Sequence, residues 1–406
     1  MDTLKILVLS DLHAHSNAPF EKDAPSLYSL QPRYQTPTHN PILACEDLLK
    51  GQSDAIDWIV CPGDLGDRND SIGKHYAWRE LNRLKRKISA SHLIATVGNH
   101  DLDSTRVDKG AVPDSDLRTL SPRFPIVGAG SNKLNADFWH KGFIIKKFAQ
   151  FDTTLCVLNT CAFHGVEGVP DERKRGRLPD EVLDQVQRNL RSTCSSLNIL
   201  LMHHHAHRHP WILEDESHAV NGLRLVEALK ESGSRWLVIH GHRHLPQLWY
   251  SGADRNSSII LSAGSPSATP YPVRGRTTRN QMHLITLDRR RSAATPEELY
   301  GTVHSWSWSQ GVGWVAGNTS GDGLPAICGF GRMGGLDMLA AELKSLLTAT
   351  SAPMIDWRTL SASQPQVNNL TPADFSALQD ELQRRGLEIL FDRYGVPSSI
   401  QQLRAV

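Results

Sequence analysis

Aspartate, asparagine and histidine collect in five short clusters of this sequence: Asp11-Leu12-His13, Gly63-Asp64, Gly98-Asn99-His100-Asp101, His203-His204 and Gly241-His242-Arg243-His244. Each cluster follows directly on a short apolar run. Carboxylate and amide oxygens combined with imidazole nitrogens are ligands of borderline softness, suited to divalent ions such as Mn, Fe, Zn or Mg. Two such ions about 3.5 to 4 Å apart can hydrolyse a phosphate ester, because a hydroxide bridging them attacks in line while both cancel charge on the phosphoryl oxygens. Any one cluster alone is an ordinary turn, since Asp-Leu-His or Gly-Asp needs no ligand to be there. The conjunction of all five, in order, points to a two-metal phosphoesterase.

Whole-chain charge adds no partner to this picture. Over 406 residues, 44 Lys and Arg nearly balance 43 Asp and Glu, so a basic surface for nucleic acid or a membrane has to be local. The 19 histidines are many for that length and crowd between His203 and His244, which favours metal ligation over bulk charge. Six cysteines (Cys45, Cys61, Cys156, Cys161, Cys194 and Cys328) form no Cys-x-x-Cys pair and read as reduced, packed thiols. The N-terminus opens with an acid, Met1-Asp2-Thr3, and its first apolar run is far shorter than a signal core. No stretch approaches the roughly 20 apolar residues that span a bilayer. A soluble, cytoplasmic protein with no membrane partner is expected.

The clusters need elements that carry them to one place. Residues 4–9, 56–61, 93–97, 199–202 and 236–239 are apolar, β-branched-rich runs that read as buried strands. Helical spacing separates several of them: 72–88, with Trp78, Leu81, Leu84 and Ile88, and 179–190, opened by Pro179-Asp180. Strands alternating with helices give an α/β core, and in such sheets the loops leaving the strands' C-terminal ends gather along one edge. The stretch between His13 and Cys45, with Tyr28 and Tyr34, is too long for an ordinary connection and reads as a lid. The loop 263–280 carries Tyr271, Arg274, Arg276 and Arg279, either a solvated basic turn or a substrate contact. Beyond about residue 291 the character changes. Trp306, Trp308 and Trp314 lie among glycines with an alternation that suggests further strands, and they read as core. From 336 the pattern turns helical, including 372–394, capped by Thr371 and followed by Gly395 and Pro397.

In this order the clusters resemble the motif series of the calcineurin-like metallophosphoesterase superfamily, D-x-H, G-D, G-N-H-[DE], H and G-H-x-H, over residues 5–244. The resemblance implies a four-layer α/β/β/α sandwich, where the alternation alone gave only α/β. The division that follows is a metallophosphoesterase domain over 1–290, a Trp/Gly-rich β extension packed on it over 291–335, and a small helical region over 336–406. Position by position, the resemblance implies that Asp11, His13 and His244 hold one metal, that Asn99, His203 and His242 hold the other, and that Asp64 bridges them, with Mn the expected activator. It implies His100 as the group that contacts phosphate and protonates the leaving oxygen, and Asp101 as the carboxylate orienting its ring. His203 is taken as the ligand because it is the first residue after the run 200–202. His204 corresponds to a residue that supports the ligands in relatives, and it joins Arg68, Arg274 and Arg276 as a candidate substrate contact. His205, His207 and His209 depart from the family's usual prolines.

The segment Gly63-Asp64-Leu65-Gly66-Asp67-Arg68 also resembles the G-D-x-x-D-R of serine/threonine protein phosphatases, whose arginine clamps phosphate. Those enzymes continue with Gly where this chain has Asn69 and use Glu where it has Asp101. The first motif, Ser10-Asp11-Leu12-His13, is closer to the phosphodiesterase and exonuclease branches. A phosphodiester is therefore the expected substrate: a nucleotide, cyclic nucleotide or nucleic-acid end. Two readings stay open beside it, a phosphomonoesterase for protein or small molecules, and a metal-bound scaffold with little activity. For residues 336–406 the expectation is a protein partner or self-association.

Overall fold

Runs of branched side chains without a polar interruption form strands buried on both faces, the condition for parallel pairing. The structure is a computed structural model that describes residues 2–17, 26–50, 55–104, 112–166, 175–209, 212, 215–254, 256–270, 272–273, 276–295, 298–316, 322–331, 334–350 and 353–403. Its first sheet begins with β1 (Thr3–Val8), β2 (Trp58–Cys61), β3 (His92–Ala95) and β4 (Ile126–Val127). The first three pair in parallel, Ile6 opposite Trp58 and Trp58 opposite His92, and β4 closes that edge antiparallel. Two helices, α1 (Pro41–Leu49) and α2 (Ser71–Lys87), connect β1 to β2 and β2 to β3. Helix α2 starts where the Asp70 carboxylate accepts the Gly73 N–H, ends on Lys85, Arg86 and Lys87, and buries Ala77, Trp78, Leu81 and Leu84 in the main core. Short α3 (Ser115–Thr119) and α4 (Ser131–Lys141) lead on to the second sheet.

That sheet contains β5 (Phe143–Phe148), β6 (Thr153–Leu158), β7 (Leu197–Leu201), β8 (Leu237–His240), β9 (Gln247–Tyr250) and β10 (Ile259–Ser262), in the order β5-β6-β7-β8-β10-β9. Strands β6, β7, β8 and β10 are parallel. Its side chains part with a period of two. Ile199, Leu201, Leu237 and Ile239 enter the core shared with the first sheet, whereas Leu200, Met202 and Val238 enter a second core with α5 (Asp180–Thr193) and α6 (Gly222–Glu231). The layers are thus α1–α2, first sheet, second sheet and α5–α6, the expected α/β/β/α sandwich.

After the hairpin β11 (Pro272–Val273) and β12 (Arg276–Thr277), the chain returns to the first sheet through β13 (Gln281–Asp288), antiparallel to β1. Helix α7 (Arg289–Ala294) and strands β14 (Gly301–Ser309), β15 (Gly313–Ala316) and β16 (Ile327–Phe330) follow and complete eight strands. Trp306 and Trp308 are buried there. The C-terminal unit comprises α8 (Leu336–Ala349), β17 (Met354–Asp356), α9 (Trp357–Ser363), α10 (Pro372–Arg384), β18 (Leu387–Phe391) and β19 (Pro397–Gln402). It has its own small core, with Leu343, Leu360, Leu378, Leu382 and Ile400. The helix expected over 372–394 ends at Arg384, because Gly386 takes φ 77° and turns the chain into β18. Of the expected lid, 18–25 lie outside the described residues, and the part that follows is packed down. Tyr28 is fully buried, 5.5 Å from the Tyr76 ring, and the Leu27 N–H donates to the Ser267 carbonyl at 2.7 Å. Among the described residues no helix is long and apolar enough to cross a membrane.

Candidate metal centre

Each cluster lies where a parallel strand ends: Asp11 and His13 beyond β1, Asp64 beyond β2, Asn99 to Asp101 beyond β3, His203 beyond β7, and His242 and His244 beyond β8. Both sheets present their C-terminal edges on this side, the usual ligand edge of an open α/β sheet. The chain reverses sharply there. Asp11 (φ 53°), His13 (46°), Asp64 (55°), His242 (77°) and His244 (51°) all take the left-handed conformation, at roughly 1–2 kcal/mol each for residues with a Cβ. Such strain persists only where the surroundings enforce it, and it gathers at functional sites. Two glycines make the close approach possible. A Cβ on Gly98 would lie 2.1 Å from Asp64 Oδ1, and one on Gly241 would lie 2.3 Å from Asp11 Oδ2.

Two sets of donor atoms meet on Asp64. In the first, His244 Nε2 lies 3.0 Å from His13 Nε2 and 3.4 Å from Asp11 Oδ1, and His13 Nε2 lies 3.7 Å from Asp64 Oδ2. In the second, Asn99 Oδ1 lies 2.9 Å from both His203 Nε2 and His242 Nδ1, and His203 Nε2 lies 3.4 Å from Asp64 Oδ2. Outer contacts aim these atoms, as they do around metal ligands generally. Asp64 Oδ1 accepts the His100 N–H at 2.8 Å, which leaves Oδ2 buried, facing both sets and without a hydrogen-bond partner. Asp11 accepts the His242 N–H at 2.9 Å and the Ser10 hydroxyl. The His203 Nδ1–H donates to the Pro62 carbonyl at 2.9 Å.

Electrostatics test whether cations fit here. Burial pushes the His13 ring down to about 3, the His203 ring down to about 4 and the His242 ring well below its usual range, so all three stay neutral, the form that ligates metals. With Nδ1–H committed to Pro62, neutral His203 turns a bare lone pair toward the Asn99 oxygen at 2.9 Å. Two acceptors at that distance repel unless a cation lies between them. Asp64 behaves likewise: burial, then the neighbouring Asp11 and Asp101 carboxylates, push its carboxyl well above the usual range. For Asp11, burial acts in the same direction but is outweighed by His244, and its carboxyl sits below the usual range. The donor chemistry fits two divalent ions that share Asp64.

His100 stands at the open rim with its side chain 32% exposed. The orienting role expected of Asp101 is corrected. Its carboxylate accepts the backbone N–H groups of Asp64, Leu65, Gly66 and Gly98 at 2.7 to 3.2 Å, so it braces the turn that carries Asp64. The carboxylate beside the His100 ring is Asp67, whose Oδ1 lies 3.2 Å from His100 Nδ1 and 3.3 Å from His13 Nδ1, at contact distance to both and on a linear hydrogen bond to neither. Burial alone would raise the Asp67 carboxyl, and the two histidines outweigh it and hold it below the usual range. The G-D-x-x-D-R segment already contained this residue. Lys74 was not anticipated. Fully buried on α2, its Nζ donates to Asn69 Oδ1 at 2.6 Å and the Asp101 carbonyl at 3.1 Å and pairs with Asp116 at 3.0 Å, and no motif marks it.

His204 is corrected as a substrate contact. Its ring is fully buried behind the ligands, 2.9 Å from Thr160 Oγ1 and 4.4 Å, centroid to centroid, from His242. It also lies near Cys161 and His164, but the His164 nitrogens already meet Ser104 Oγ at 3.1 Å and the Arg175 carbonyl at 3.2 Å. Arg68 extends an exposed side chain past Asp67, its Nε 3.7 Å from Oδ2. Arg274 and Tyr271 lie outside the described residues, and only the backbone of Arg276 is described, within β12.

A model of the calcineurin-like phosphoesterases matches residues 4–267, and the chain belongs to that family. It is accordingly a metal-dependent hydrolase of phosphate esters, from a family that works with two metal ions. A second model, wHTH-Calcineurin_assc, matches residues 328–384. Among curated proteins none matches the chain in sequence. Of solved structures, it is similar to a dimetal phosphatase from Danio rerio, with 12% identity, 77% of this chain and 98% of that one covered, and a TM-score of 0.45. It is also similar to a purple acid phosphatase from yellow lupin (Lupinus luteus), with 15% identity, coverage of 76% and 52%, and a TM-score of 0.46.

Proposed function

We propose that this chain hydrolyses phosphodiesters of the nucleotide or nucleic-acid class with two divalent ions, Mn foremost, held by Asp11, His13, Asp64, Asn99, His203, His242 and His244. The observation that carries the reading is the meeting of two donor sets on the unpartnered Asp64 Oδ2. Bound divalent ions supply positive charge against the phosphoryl oxygens and a source of hydroxide at neutral pH. The chain's own groups do the positioning. Pro62 fixes the tautomer of His203, and Asp67 lies against Nδ1 of His13. His100, with Nδ1 toward Asp67 and 3.3 Å from the Arg68 N–H, keeps Nε2 to hold a phosphate oxygen and to pass a proton to the departing one. Arg68 stands at the rim as a second hold on phosphate. The preference for a diester rests on the first motif, Ser10-Asp11-Leu12-His13, in which Ser10 supports the Asp11 carboxylate. All six cysteines are free thiols, which supports a reducing compartment such as the cytoplasm.

The test is Mn-loaded protein on bis-p-nitrophenyl phosphate and p-nitrophenyl phosphate, with Asp64→Asn alongside. Faster turnover of the diester, lost in the variant, is expected. Preference for the monoester replaces the diesterase reading, and equal inertness of both proteins across metals and esters leaves the scaffold reading.

A further inference from the structure

Between the C-terminal unit and the two-sheet body lies a cavity of about 1360 Å³. One wall is the edge of the second sheet. Strand β9 is the last of its sheet, bonded to β10, and its residues Gln247, Leu248 and Trp249 line the space. The facing wall brings together Trp357 of α9, Phe375 of α10 and Phe391 of β18. Their rings form a chain of contacts, 6.0 Å from Trp357 to Phe375 and 6.3 Å from Phe375 to Phe391, and Phe391 is 43% exposed. The cavity begins at Leu245, the residue after His244.

The charges around it are acidic on balance, although Asp322 is paired with Arg279 at 3.9 Å and Asp356 caps α9 through the Thr359 N–H, which leaves Asp392, beside Phe391, as the acid at the aromatic wall. Asp322, Asp356 and Asp392 line it against Arg358 as the one cationic side chain among the described residues, and burial pushes His304 down. In a helix-turn-helix, the second helix of the pair reads nucleic acid, and such binding begins with Lys and Arg on phosphates. Here that helix is α10, which carries Asp374, Asp380 and Glu381. Its one basic residue, Arg384, and the capping Arg385 sit at the far end, and both pair with Glu381. The face with Phe375, Ser376 and Gln379 turns into the cavity. An acidic, aromatic wall repels a phosphate backbone and suits the aliphatic stems and cationic heads of Lys and Arg.

We propose that this cavity is the docking groove for an extended segment of a partner protein in which apolar and basic side chains alternate. Its backbone runs along the outer edge of β9, and its side chains rest on Trp357, Phe375 and Phe391. An occupant would lie against the loop that carries His244. The inference does not rest on the choice of ester. It is tested with the full chain by fluorescence anisotropy, using labelled peptides of about twelve residues, one alternating Leu and Lys and one alternating Leu and Glu, beside an oligo-dT of similar length. The Leu/Lys peptide is expected to bind at concentrations below about 100 μM, and Phe391→Ser and Asp392→Asn each to weaken it about fivefold or more. Asp392→Asn keeps an oxygen for the Tyr394 and Val396 N–H groups, and unchanged circular dichroism reports that the unit still folds. Tighter binding of the Leu/Glu peptide or the oligo-dT, no binding of the Leu/Lys peptide, or unchanged affinity in both variants overturns the proposal.

Discussion

At the scale of single residues, Asp67 stands beside the His100 ring where Asp101 was expected, and it reaches His13 as well. The His100 ring packs edge-on against His13 at 4.6 Å but belongs to neither donor set, so His100→Gln should leave most of the metal content and lower turnover by about 10²- to 10⁴-fold, the range for a lost general acid. Asp67 lies against both His100 and His13. Asp67→Asn should therefore weaken metal binding as well, by about 10- to 100-fold, as for other residues that support ligands. Metal analysis after dialysis against graded chelator, alongside turnover at saturating Mn, separates the two; equal metal loss in both variants would sink the assignment. The candidate ligands stood out in the sequence because Asp, Asn and His at strand ends have few other reasons to coincide. Supporting roles were not, because they depend on where a loop points. Asp101 follows His100 in the chain, yet its oxygens are taken by four backbone N–H groups across the turn. His204 follows His203 on a strand end, so alternation sends its ring to the opposite side, into the core.

The elements explain which parts of the fold could be read. Parallel strands buried on both faces appear as uninterrupted apolar runs, and the five expected ones fall on β1, β2, β3, β7 and β8 within two residues. Strand β18 escaped because Leu378 and Leu382 keep helical spacing up to Gly386 and no proline follows until Pro397, so only the positive φ of Gly386 breaks the helix. His283, on β13, lies in no motif of the sequence, yet it is fully buried and satisfied, Nε2 accepting the Gly264 N–H at 3.2 Å and Nδ1 2.8 Å from Ser305 Oγ. Burial pushes it down to about 3. Because the folded chain keeps it neutral while the unfolded chain protonates it near pH 6.5, the unfolded state binds more protons in between. Stability from this group is therefore full above about pH 6.5 and lost as the pH falls toward about 3, at about 1 kcal/mol per unit. His283→Gln can keep both hydrogen bonds without titrating. The stability gap between wild type and variant, measured by urea unfolding, should shift in the variant's favour as the pH falls from about 7 to about 5. A gap independent of pH would show that His283 does not titrate across unfolding.

For the whole molecule, the division of the proposed ligands between the sheets has a mechanical consequence. The first sheet supplies Asp11, His13, Asp64 and Asn99, and the second supplies His203, His242 and His244. Ions bound there would tie the two sheets together at their C-terminal edge, where Asp11, Asp64 and Asp101 crowd three buried carboxyls. The C-terminal unit has a separate core and contributes no candidate ligand. A site that binds only the folded chain stabilises it by about 3 kcal/mol when free ion exceeds its dissociation constant about 100-fold. Chelation should then lower the unfolding midpoint of the two-sheet body by several degrees. Hydrogen exchange should rise where β1, β2, β7 and β8 end and stay unchanged over α8, α10 and β19. Asp64→Asn should remove most of this sensitivity, since it takes the shared oxygen from both donor sets. Loosening spread evenly over the C-terminal unit, or a chelator shift retained in full by Asp64→Asn, would mean that the ions do not bridge the sheets through Asp64.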